Sequence, residues 1–132
     1  MNKSFHTIFK LFRAVIGLLI MMHGVARTYY GSIDDFGFFL NNKGFLIGNI
    51  IAHGITIFEI IGSILLLLGK FSKWIALLFA LELILGIIMV HSKYGWFVVG
   101  HGSNGAEYSI ALIISLMLIW TEDHLKPLNR SS

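Results

Sequence analysis

Four apolar stretches, each near the length of a membrane-crossing helix, alternate along the chain with short polar links. Covering the hydrocarbon core takes about 20 helical residues. The pattern predicts spans at Leu11–Tyr30, Gly48–Gly69, Lys73–His91 and Asn104–Trp120. Lipid cannot hydrogen-bond a bare backbone, so these are expected to be helices, forming an all-α, up-down four-helix bundle in a single domain over 1–132. The second stretch is the most informative, because Ile50–Gly69 is broken only by His53, Thr56, Glu59 and Ser63 among apolar or glycine positions. An ionisable side chain at bilayer depth costs about 2.5–3.5 kcal/mol on insertion scales. Such groups are expected to face the bundle interior, with a partner or water.

Composition sharpens this picture. The chain is 56% hydrophobic and 13% charged, with a mean hydropathy of +0.79, against about 25% charged residues in soluble domains. Most of its surface is therefore meant for lipid. Lys3, Lys10, Arg13, Lys70, Lys73, Lys126 and Arg130 fall at one end of the predicted bundle, and Arg27, Lys43 and Lys93 at the other. The positive-inside rule then makes both termini cytoplasmic. Tyr29, Tyr30 and Trp96 at the outer interface and Trp74 and Trp120 at the inner one agree with those depths. Gly31–Ile47, with Phe36, Phe38, Phe39 and Leu40, is too apolar for a free loop and is expected to cover the outer end as an interfacial or re-entrant segment. Lys3, Lys10 and Arg13 before Ala14–Met22 have the order of a signal peptide, but cleavage after Gly24-Val25-Ala26 would discard His23 and leave an odd helix count. A retained first helix is expected. No Arg/Lys stripe follows a phosphate backbone, which argues against nucleic acid and leaves membrane lipids as the partner of the net charge of +3. With no cysteine, thiol relays, disulfides and Cys-ligated zinc or iron–sulfur clusters are excluded. No closely spaced ligand set argues for a metal.

Helix direction gives each polar group a depth. His23, Arg27, His53, His91 and Glu107 are expected in the outer half, and Glu59 and Glu82 near the middle. His23 and Arg27, four apart, share a face of the first helix. Ala52, Thr56, Glu59 and Ser63 form a stripe on the second, with His53 about 60° away at its edge. Glu82 and His91 stand on opposite sides of the third, leaving Glu82 for another helix contact or a second copy of the chain. Each group also has an ordinary structural use. Arg27 can snorkel to headgroups, Glu107 can close an N-terminal cap with Asn104, and the histidines can hydrogen-bond neighbouring helices. A bis-His haem centre from His23 and His53 is disfavoured because their depths differ by about a turn.

HGVAR near the end of the first helix, IFEIIGSILLLLGK across the second, MVHSKYGW ending the third and NGAEYSIALI opening the fourth together resemble the DoxX family. The likeness runs from about Phe12 to Trp120. It implies a small four-helix bacterial inner-membrane protein associated with oxidoreductase systems, including quinone-linked and oxidative-stress ones. The residues it carries over are Arg13, His23, Gly24, Arg27, Glu59, His91 and Glu107. Glu82 stands where an apolar residue is expected, and Asn104-Gly105 replaces the usual glycine pair.

The reading that follows is a membrane subunit of a quinone-linked oxidoreductase, with a polar site in the outer half of the bundle. His23 or His91 and Glu59 would relay protons, while Arg27, Glu107 and His53 would hold the ligand. The rival is a non-enzymatic scaffold or assembly factor that docks soluble redox proteins through the Lys70–Lys73 link and the tail after Trp120.

Overall fold

The computed structural model describes residues 3–90, 94–97 and 105–125. Its regular structure among these residues is helical, in the order α1 (Lys3–Tyr29), α2 (Ile33–Asn42), α3 (Gly48–Leu67), α4 (Ser72–Met89) and α5 (Glu107–Leu125). Three of them, α1, α3 and α4, are long and apolar enough to cross a membrane. Among the described residues the count is five helices because the apolar segment expected over the outer end is itself a helix, α2. The first helix starts at Lys3 rather than Leu11, since no glycine or proline interrupts the chain before Gly17. At the far end, α5 continues past Trp120 to Leu125; Asn104, expected to open it, lies outside the described residues.

The chain divides into two compact units, 1–70 and 71–132. In the first, α3 packs against both α1 and α2. The α1–α3 seam has an inverted polarity compared with a water-soluble helix pair. Ala52, Thr56, Glu59, Gly62, Ser63 and Leu66 of α3 are buried, whereas Ile50, Ile57, Ile61, Ile64 and Leu68 are exposed. On α1, Arg13, Ile16 and Ile20 are buried while Leu11, Val15, Leu18, Leu19, Met22 and Val25 face outward. Small and polar side chains turned in, with branched apolar ones turned out, is how a helix pair in lipid gains close packing.

Two glycines set the register. A Cβ at Gly17 would stand 3.4 Å from the Ser63 carbonyl oxygen, near Leu66 and Leu67, and one at Gly24 would stand 2.9 Å from the Thr56 carbonyl oxygen and 3.2 Å from Glu59 Cβ. Seven residues up α1 therefore match seven residues down α3, an antiparallel contact repeating every two turns.

Helix α2 returns over the N-terminal end of α3. A Cβ at Gly37 would overlap Asn49, lying 2.7 Å from its Cα, so only glycine admits this crossing. Asn41 Oδ1 accepts the Gly48 N–H at 2.8 Å, satisfying one open donor at the start of α3. The helix ends in a Schellman turn at Gly44 (φ 98°), with Phe45 N–H donating to the Leu40 carbonyl and Gly44 N–H to that of Asn41.

In the second unit, α4 packs against α5. Ile75, Ala76, Phe79 and Ala80 of α4 are buried, as are Leu116 and Ile119 of α5. The start of α5 is held by the preceding loop, since Ala106 N–H donates to the Gly95 carbonyl at 3.1 Å and Glu107 N–H to that of Trp96 at 3.2 Å. A side chain at Gly105 would overlap the Phe97 carbonyl.

Candidate functional site at the α1–α3 seam

Sequence places Arg27 one turn beyond Gly24, about 4.5 Å further along α1. In the antiparallel register it lies one turn beyond the Gly24 contact with Thr56 and Glu59, toward the N-terminal end of α3. Its long side chain reaches back one turn, and Arg27 Nη2 donates to Glu59 Oε2 in an ion pair. The Glu59 side chain is 5% exposed and that of Arg27 21%. This explains how a carboxylate persists midway along an apolar helix: its charge is met by the guanidinium of the neighbouring helix. Removing one partner of such a pair leaves an uncompensated buried charge, which costs far more than an exposed pair contributes.

The rest of the guanidinium is also enclosed. Its Cζ sits 4.8 Å from the centre of the Phe36 ring, delivered by α2, an arrangement in which the ring face attracts the cation. Arg27 Nε is buried with no hydrogen-bond partner. Beside the pair opens a groove of about 420 Å³ lined by Met22, His23, Ala26, Arg27, Tyr30 and Ser32. Its volume falls in the range of small-molecule sites, about 300–1,000 Å³, and like them it sets a few polar groups among apolar ones.

The expected site residues are thus partly brought together. Arg27 and Glu59 are in direct contact, and His23 lines the groove one turn from Arg27. His53 is exposed, and its Nδ1 lies 2.9 Å from the Asn49 carbonyl oxygen within its own helix. His53 is not among the residues lining the groove that His23 borders. Glu107 opens α5 in the other unit, where its own N–H donates to the Trp96 carbonyl. His91 lies outside the described residues. Among the described residues no cluster of three or more His, Asp or Glu could hold a metal.

Two contributors were not singled out from the sequence: Phe36, which covers Arg27, and the Met22–Tyr30 rim of the groove. The aromatic density of the α2 segment was a usable signal for the first. The seven-residue spacing of Gly17 and Gly24, read against the small stripe on α3, could have given the Arg27–Glu59 match.

Comparison with known proteins agrees with this region of the chain. The curated protein named "Putative oxidoreductase CatD" from Bacillus subtilis (strain 168) is 33% identical over 95 residues, covering 70% of this chain and 66% of that protein, a little under two thirds of its length. No solved structure gives a significant match. The DoxX family model matches residues 8–92, which contain the whole α1–α3 seam and its ion pair. The chain is a member of the DoxX family, with apolar helices suited to a membrane.

Proposed function

We propose that this protein is the inner-membrane subunit of a quinone-linked oxidoreductase or oxidative-stress system, and that the groove beside Arg27 and Glu59 receives the ligand. The observation carrying this reading is that Arg27, paired with the buried Glu59, lines a groove with His23 on its rim. The fit to a quinone head rests on the groove's make-up, with Met22, Ala26 and Tyr30 offering apolar surface and Arg27, His23 and Ser32 offering polar groups. In this topology α5 is the fourth span, both termini are cytoplasmic and the groove lies in the outer half.

A bound quinone would supply an acceptor for two electrons and two protons. The residues of the chain do the rest. Arg27, oriented by Phe36 and Glu59, would be the donor toward an oxygen on which negative charge grows. Glu59 balances the guanidinium while the groove is empty and can hold a proton when Arg27 turns toward the ligand. His23 lines the groove one turn from Arg27 and is placed to pass a proton from its mouth. Ile16, Ile20 and Leu66 are buried further along the seam, and Arg27 is the link between Glu59 and the groove. The relative from Bacillus subtilis is named as an oxidoreductase, which supports redox work here without specifying the electron donor.

The test is lipid extraction and mass spectrometry of detergent-purified wild type and Glu59→Gln. Quinone co-purifying with wild type and absent from Glu59→Gln supports the reading. Equal quinone in both, or none in either, favours a scaffold that docks soluble redox partners instead.

A further inference from the structure

The opposite end of the α1–α3 seam holds a second buried guanidinium, and nothing in the proposed function uses it. Arg13 is only 9% exposed. Its guanidinium lies over Gly69, where a Cβ would stand 2.5 Å from Nη2 and 3.0 Å from Cζ. Gly69 has φ 71°, so glycine is required there for the backbone as well as for the side chain resting on it.

Capping the end of α3 does not explain Arg13. The terminal carbonyls already have main-chain donors, with Lys70 N–H bonded to Leu65 at 2.9 Å, Gly69 N–H to Leu66 at 3.1 Å and Leu68 N–H to Ile64 at 3.0 Å. The negative end of the helix attracts the cation, yet the buried Nε is left without a hydrogen-bond acceptor. Arg13 Nε is buried and unpartnered, and among the described residues no carboxylate pairs with Arg13. A guanidinium carries five N–H donors in a planar fork, and burying them unmatched is costly. Lys10, one turn earlier on α1, and Lys70, next to Gly69, are both exposed at this end. Two exposed ammonium groups around one recessed fork form a site for a single multivalent oxyanion.

We propose that Arg13, Lys10 and Lys70 bind a phosphate group, with Arg13 as the bidentate donor and the lysines as point charges. Arg13 and Arg27 are 14 residues apart on one helix, about 21 Å along its axis, so this site is separate from the groove. In a membrane-spanning chain the phosphate at such an end belongs to an anionic lipid headgroup, and free phosphate would be read by the same chemistry.

Native mass spectrometry of the full chain in detergent, titrated with phosphatidylglycerol and with phosphatidylcholine of the same acyl chains, tests this. Wild type should prefer phosphatidylglycerol by about tenfold, and Arg13→Gln should bring the two lipids within about twofold. Arg27→Gln should keep the wild-type preference. An unchanged preference in Arg13→Gln, or an equal loss in Arg27→Gln, overturns the site in favour of diffuse surface charge. Should Arg13→Gln fail to fold, Lys10→Gln and Lys70→Gln should each lower the preference about two- to threefold, and no change in either overturns the cluster. Inorganic phosphate as competitor separates the sources. Failure to displace phosphatidylglycerol marks a lipid site, and displacement marks a site for the phosphate alone.

Discussion

The helix register set by Gly17 and Gly24 can be broken at one glycine and spared at the other. At Gly24 an added methyl would stand 2.9 Å from the Thr56 carbonyl oxygen, 3.0 Å from Ile60 Cγ1 and 3.2 Å from Glu59 Cβ. One of these neighbours is backbone, so α1 and α3 must separate by a few tenths of an ångström. Overpacking of this kind costs about 1–3 kcal/mol, against about 1 kcal/mol gained when alanine replaces glycine in a helix. At Gly17 the same methyl would stand 3.4–3.7 Å from its neighbours, within ordinary contact, and the helix gain remains. Gly17→Ala is therefore expected to be neutral or stabilising, with Gly24→Ala less stable than it by about 1–3 kcal/mol. Helicity followed by circular dichroism during titration of detergent-solubilised protein with dodecyl sulfate would measure both. Equal effects at the two positions, or a larger loss at Gly17, would refute the antiparallel register and the Arg27–Glu59 match that depends on it.

Other perturbations follow from the same contacts. Glu59→Gln should cost about 3 kcal/mol in that unfolding assay, the low end for a buried pair because Arg27 keeps some exposure. The double variant Arg27→Met with Glu59→Met should cost less than Glu59→Gln alone, since it buries no unpaired charge. Gly69→Ala should cost about 1–2 kcal/mol for its left-handed backbone alone, and the Arg13 guanidinium it displaces should lower anionic-lipid selectivity in parallel. His53→Gln, which removes an exposed imidazole outside the groove, should leave both stability and quinone content within error of wild type in the same dodecyl sulfate titration and lipid extraction.

Much of this was legible in the pattern of the chain. The apolar runs located α1, α3 and α4, and the Ala52–Thr56–Glu59–Ser63 spacing identified the buried stripe of α3. The aromatic segment after Gly31 was correctly read as too apolar for a loop. Helix ends were less visible, because hydropathy marks the part of a helix suited to lipid and not where its backbone stops. Lys3–Lys10 extends α1 without a breaker, and Thr121–Leu125 extends α5 for the same reason. The pairing of Arg27 with Glu59 was missed for a different cause. Depth alone puts Arg27 a turn above Glu59, and only the close approach at Gly24 with the length of an arginine side chain joins them.

The most direct measurement is a binding titration of a soluble quinone analogue by native mass spectrometry, comparing wild type, Glu59→Gln, Arg27→Gln and His53→Gln. Binding weakened about tenfold or more in the Glu59 and Arg27 variants, with His53→Gln matching wild type, is the outcome predicted for a ligand site at the α1–α3 seam. Equal affinity in all four proteins would contradict it, leaving the buried ion pair as a structural clamp between two helices.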